Sequence, residues 1–171
     1  IYKSIHHGNT LEVIEEMADV LRADVAQIDI VDPEMLEDYD LIGFGSGIYY
    51  GQHYKSILNF VRNLASDLLK DKKVFIVSTS GMPRIPLLHD FEKPLRTALN
   101  QKGASIIGSY ACRGFDNYGF LETLGGLHPR RPNNHDLKKA REFASNLYRE
   151  HFAEGEEGLK IAREQKKYSI F

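Results

Sequence analysis

The chain has a single cysteine, no tryptophan, six prolines and no long apolar run among its 171 residues. One thiol, Cys112, excludes an intrachain disulfide and any multi-cysteine zinc or iron–sulfur site, as fits a reducing compartment. No apolar stretch reaches the ~18 residues that a membrane span requires, and no signal peptide is recognisable; a cytoplasmic protein without a membrane partner is expected. An excess of charge of one sign is also missing. Twenty-two Lys and Arg stand against 24 Asp and Glu, for a net charge of −2, which gives no electrostatic reason to expect a nucleic acid as partner. What is present is a core: 42% of residues are apolar and 27% charged, the balance of a folded domain rather than a disordered chain. The length suits one domain.

Strand-like apolar runs alternate with stretches of helical period, and that alternation predicts an α/β fold, a doubly wound parallel sheet covered by helices on both faces. Ile1 to Lys3 reads as the end of a first strand, so several apolar residues are expected to precede Ile1 in the natural protein. Val13, Ile14, Met17, Ala18 and Leu21 share one face of a helix starting near Asn9 or Thr10. A second strand is expected over Asp24–Ile30, a short helical turn over Pro33–Asp38 and a buried third strand over Asp40–Ser46. Tyr54, Ile57, Leu58, Val61, Leu64 and Leu68 mark a second helix. Lys73–Ser78, rich in Val, Ile and Phe, suits a strand buried on both faces. A helix bearing Phe91, Leu95, Ala98 and Leu99 has Pro94 in its first turn and stops at Gly103. Ser105–Cys112 is the fifth strand, and a last helix runs from about Asp136. Gly114–Asn134 is a long loop rich in Gly, Pro and aromatics, of a length that is more often functional than idle. Residues 1–151 form the domain, and 152–171 form a charged tail. Its apolar end, Tyr168, Ile170 and Phe171, is a candidate contact for a second copy of the chain.

The segment Ser4-Ile5-His6-His7-Gly8-Asn9-Thr10 lies between the first strand and the first helix. Amide groups at a helix N-terminus point outward unsatisfied, and the helix dipole adds partial positive charge, so such a turn can hold a phosphate. Ser4, Asn9 and Thr10 add side-chain donors. No GxxxxGK[ST] pattern is present, which argues against a nucleotide triphosphatase; a neutral cradle suits a phosphate monoester that stays bound. A plain N-cap by Asn or Thr without ligand is the other reading. Gly43-x-Gly45-x-Gly47 lacks the third glycine of a dinucleotide fingerprint, since Tyr50 stands there. Cys112 reads as a small buried apolar residue, and no metal site is expected because His6 and His7 diverge from one another without carboxylate or thiol company.

Tyr2-x-Ser4-x-x-x-Gly8-Asn9-Thr10, then Gly45-Ser46-Gly47-Ile48-Tyr49-Tyr50-Gly51, then Ser78-Thr79-Ser80-Gly81-Met82, each follow a predicted strand. In that order they resemble the three ligand loops of the flavodoxin family, over about residues 1–150. The resemblance implies a five-stranded flavodoxin-like sheet of order 2-1-3-4-5 with FMN at the C-terminal edge, where open α/β sheets bind ligands. It implies that Ser4, His6, His7, Gly8, Asn9 and Thr10 hold the FMN phosphate. Ser46, Gly47, Ile48, Tyr49, Tyr50 and Gly51 would line one side of the isoalloxazine, and Thr79, Ser80, Gly81 and Met82 the other. Tyr49 or Tyr50 would stack on the ring, and Gly47 or Gly51 would allow a peptide to reorient.

The chain departs from short electron-transfer flavodoxins in its longer first loop, its lack of Trp, and the basic residues expected at the rim: His53, Arg84, Arg113, Arg130 and Arg131. Positive surroundings relax the penalty on an anionic reduced flavin. The implied function is electron transfer between redox partner proteins. An FMN-dependent reductase of a quinone driven by NAD(P)H, and a flavin-free interaction module of the same fold, are the alternatives. No side chain is required as acid or base.

Overall fold

The computed structural model describes residues 1–5, 8–81, 90–114, 131–152 and 167–170, the last four as backbone only. The strands are β1 (Tyr2–Lys3), β2 (Ala23–Asp24), β3 (Tyr39–Tyr49), β4 (Gln52–His53), β5 (Lys73–Ser80), β6 (Ser105–Arg113) and β7 (Lys167–Ile170). The helices are α1 (Asn9–Leu21), α2 (Lys55–Asn63), α3 (Lys93–Gln101) and α4 (Asn134–Phe152). Among the described residues no helix is long and apolar enough to cross a membrane.

The sheet is built on β3 and β5, whose Leu41, Ile42, Phe44, Val74, Phe75, Ile76 and Val77 are all fully buried. Runs without polar alternation are what a strand covered on both faces needs. One face packs against α2 and α3 through residues such as Ile57, Leu58, Val61, Leu95 and Leu99. The other face carries α1 and α4 through Val13, Ile14, Met17, Ala140 and Ala144. Gly43 lies where β3 meets the Phe75 ring: a Cβ there would come within 2.5 Å of Phe75 Cζ, so the missing side chain lets the ring lie against the strand. Pro94 stands in the first turn of α3, and Gly103, at φ 77°, follows that helix as the left-handed residue that stops it.

All the long pairings are parallel, and the order is β2-β7-β3-β5-β6, with β1 also on β3. This is the expected flavodoxin-like arrangement with one change: the position between β2 and β3 is composite. Tyr2 and Lys3 stand opposite Gly45 and Ser46, while Ser169 and Ile170 stand opposite Ile42 and Gly43. Tyr168 and Ile170 of the tail, a candidate contact for a second copy of the chain, thus lie in a strand of the chain's own sheet, and Phe171 lies outside the described residues. β7 pairs with β3 along a stretch that Tyr2 and Lys3 do not reach.

Three other boundaries differ. The expected second strand Asp24–Ile30 pairs regularly only over Ala23–Asp24, continues through a single bridge of Gln27 to Tyr2, and closes in a 3-10 turn over Ile28–Ile30. It is an edge segment, so only one side holds it extended. β3 continues to Tyr49, past the expected end at Ser46, because Gly47 pairs with Thr79 and the strand then folds back on β4. α2 ends at Asn63, and Leu64 caps it while remaining in the core.

Candidate functional site

Because β1, β3, β5 and β6 run parallel, their C-terminal ends deliver Ser4, Gly47, Thr79–Gly81 and Gly114 to one edge of the sheet. There they line a cleft of about 550 Å³, together with Ile5, Asn9, Thr10, the hairpin Ile48–Tyr50, Gln52 and His53, and the start of α2.

The first loop forms one end. Gly8 enters α1 at φ 71°, and no side-chain hydrogen bond caps the helix there. The Asn or Thr N-cap considered from the sequence is therefore not formed: Asn9 and Thr10 lie inside the first turn. Thr10 Oγ1 meets Thr79 Oγ1 at 2.8 Å in a buried contact that ties this loop to the end of β5. Ser4 Oγ is buried and has no hydrogen-bond partner among the described residues. A buried hydroxyl left without a partner costs about 1–3 kcal/mol, and an anion seated against uncapped helix amides would supply it.

The second loop is a hairpin. Tyr50 at φ 50° and Gly51 at φ 77° form a two-residue turn joining β3 to β4, the twist that tight hairpins favour. Gly suits that backbone; Tyr does so only with strain. Tyr50 is 89% exposed at the tip. Tyr49 lies edge-on to Tyr54, with ring centroids 5.4 Å apart, and folds over Gly47, where a Cβ would meet its ring at 2.9 Å. Ser46 does not open into the cleft. It is fully buried, donates to Gly47 O at 2.9 Å, accepts from Tyr54 N–H at 3.1 Å and contacts His53 Nδ1 at 2.8 Å.

The third loop is held from behind. Arg113 donates to Gly81 O at 3.2 Å, and Gly114 N–H donates to Ser80 O at 3.1 Å. Beneath it, Ser78 Oγ donates to the fully buried Glu92 at 3.2 Å, Glu92 pairs with Arg96 at 3.1 Å, and Arg96 also donates to Ser109 Oγ at 2.9 Å.

Of the expected site residues, Ser4, Asn9, Thr10, Gly47, Ile48, Tyr49, Tyr50, Thr79, Ser80 and Gly81 line the cleft. Gly8 and Gly51 shape its loops, and His6, His7 and Met82 lie outside the described residues. So do Arg84 and Arg130 of the expected basic rim. Arg131 pairs with Asp136 at 2.6 Å, and His53 is in the wall, 1% exposed. Sequence reading missed Ile5, Gln52, Tyr54, Lys55 and Gly114 as lining residues. Gly51 was the available turn signal, since glycine suits the left-handed backbone that returns the chain across the strand end.

Cys112 pairs beside Thr79, near the cleft. Burial pushes its thiol up to about 12, and the Asp136 carboxylate adds to that shift while Arg131 opposes it. The reactive thiolate is thus scarce. Iodoacetamide at pH 8 is expected to label native Cys112 at least a hundredfold more slowly than the unfolded chain, as followed by intact mass.

A family model described as a flavodoxin domain matches residues 1–109. An uncharacterised protein of Methanocaldococcus jannaschii is 46% identical over 147 residues, 86% of this chain and 95% of that protein. Among solved structures, oxidised flavodoxin 1 from Bacillus cereus superposes with a TM-score of 0.63 at 20% identity, over 88% of this chain and 96% of that one. The apo form of an NADH:FMN oxidoreductase gives 0.55 at 15% identity, over 85% and 87%. Identities this low speak to the fold alone.

Proposed function

Since this chain belongs to the flavodoxin domain family, we propose that it binds FMN non-covalently in the cleft and passes electrons between redox partners. The observation that carries this reading is the convergence of a hydroxyl-lined helix start, with Ser4 Oγ partnerless among the described residues, and a tyrosine-bearing hairpin on one cleft. Ser4, Asn9, Thr10 and the first amides of α1 would hold the phosphate. Tyr49, Tyr50 and Ile48 would wall one side of the isoalloxazine and Thr79–Gly81 the other, where Gly47 and Gly81, which line the cleft without side chains, would let its polar edge approach main chain. Bound flavin supplies the one- and two-electron chemistry; the chain supplies orientation, exclusion of water and the local charge.

A second reading, an FMN-dependent reductase fed by NAD(P)H, is favoured by one feature. No carboxylate lines the cleft among the described residues, whereas Lys55 does, which suits an anionic reductant. The purified protein, or its apo form mixed with FMN, is expected to be yellow and to release FMN identifiable by mass on denaturation. A colourless protein that FMN does not reconstitute would leave the fold standing as a flavin-free interaction module and remove both flavin readings. Saturable NADH oxidation by the coloured protein would select the reductase, and reduction only through a partner protein would select the carrier.

A further inference from the structure

Two apolar stripes end in threonine at the same place. On α1, Thr10 lies at helical spacing before Val13, Ile14 and Met17, so it continues the face that these residues turn to the sheet. On β5, Phe75, Val77 and Thr79 alternate along the strand, so Thr79 continues the face that meets α1. Both threonines are buried, and their hydroxyl oxygens meet at 2.8 Å, with either one able to donate. Each side chain keeps a methyl group for its stripe and brings a hydroxyl to the cleft, which both residues line.

What Thr10 faces sets the direction of this contact. Each hydroxyl has a single proton to give. Thr10 stands in the first turn of α1, where no side-chain hydrogen bond caps the helix, in the cleft that Ser4 also lines. The oxygens of a phosphate dianion seated there accept hydrogen bonds and donate none. When Thr10 gives its proton to the phosphate, its oxygen can keep the 2.8 Å contact only as acceptor, and Thr79 must be the donor. Hydrogen bonds in such a series polarise one another, and the Thr79 donor also holds the Thr10 hydroxyl in one orientation. Without a phosphate, nothing at Thr10 of this kind selects either direction.

We infer that Thr79 is a positioning residue for the phosphate of a bound flavin, acting through the Thr10 hydroxyl and not by touching the phosphate itself. The inference rests on the flavin reading above, which puts Thr79 beside the ring, and adds a part in selecting the flavin that carries a phosphate. The third loop then contributes to recognition at the far end of the ligand. A pair of hydroxyls that only tied α1 to β5 would serve every ligand equally.

The test is fluorescence titration of the apoprotein with FMN and with riboflavin, in wild type, Thr10→Val, Thr79→Val, Thr79→Ser and the double valine variant. Valine keeps the shape and removes the hydroxyl. Thr79→Val is expected to lower FMN affinity about fivefold more than riboflavin affinity, as loss of the polarising donor and of a fixed Thr10 orientation requires. Thr79→Ser, which keeps the donor, should restore the wild-type ratio. In the Thr10→Val background, Thr79→Val should change both affinities by the same factor, because its route to the phosphate is gone. An unchanged ratio in Thr79→Val, a ratio that Thr79→Ser does not restore, or the same effect in the Thr10→Val background would overturn the inference while leaving flavin binding intact. Wild-type protein that binds neither ligand would overturn it together with the reading it rests on. If a valine variant does not fold, NMR of the wild-type FMN complex decides. A Thr10 hydroxyl proton coupled to the phosphorus, with the Thr79 proton directed at Thr10, is the expected result. A Thr79 proton coupled to the phosphorus, or no coupling from Thr10, overturns the inference.

Discussion

Asn9→Asp is expected to weaken FMN binding by a hundredfold or more while leaving riboflavin binding within a few-fold. Asn9 is the first residue of α1 and lines the cleft at its hydroxyl-rich end. A carboxylate there faces the phosphate across a few ångströms. Two like charges ~4 Å apart at an effective dielectric constant near 20 repel by about 4 kcal/mol, and screening leaves a large part of that. Riboflavin has no phosphate to repel. The same substitution should leave the apoprotein as stable or slightly more so, because an acidic residue in the first turn complements the helix dipole by about 0.3–1 kcal/mol. Opposite signs for stability and binding separate a ligand contact from a folding defect. Fluorescence titration of the apoprotein with both ligands, beside thermal unfolding, checks it. Equal losses for FMN and riboflavin would move the phosphate elsewhere.

Arg96→Leu should destabilise the protein by about 3 kcal/mol, because it leaves a buried carboxylate without its cation. Glu92 is fully buried, and its partners include Arg96 and Ser78 Oγ. The double variant Glu92→Gln/Arg96→Leu removes the charge as well as its partner, so most of the loss should return. Denaturant unfolding of the two single variants and the double variant reads the coupling directly. A loss below 1 kcal/mol in Arg96→Leu would mean that Glu92 is not held as described. Since Ser78 immediately precedes Thr79, FMN affinity is expected to fall in the single variant and recover in the double one.

Much of this molecule is legible along the chain. The helix faces at Val13, Ile14 and Met17, the buried strand from Lys73, and the stops at Gly103 and Pro94 follow from periodicity and backbone chemistry that neighbours in sequence set for themselves. So does the choice of loops, because in a parallel sheet every strand delivers its C-terminal end to the same edge. Other features were not legible. Ser46 reads as one more polar residue of a ligand loop, and only the return of the chain at Tyr50–Gly51 turns it inward onto His53 and Tyr54. His53 reads as a rim cation until the hairpin buries it.

The sequence by itself determined that this is a doubly wound α/β chain, since that depends on residue spacing and strand direction, and its three loops resemble those of flavodoxins in their order. Tertiary structure decided what stands beside what. It placed Lys167–Ile170 next to β3. It joined Thr10 to Thr79 and sank Glu92 beneath the third loop. These contacts span from 14 to more than a hundred residues of chain, and no local preference encodes a partner at that distance; only closure of the sheet and its helices brings them within bonding range.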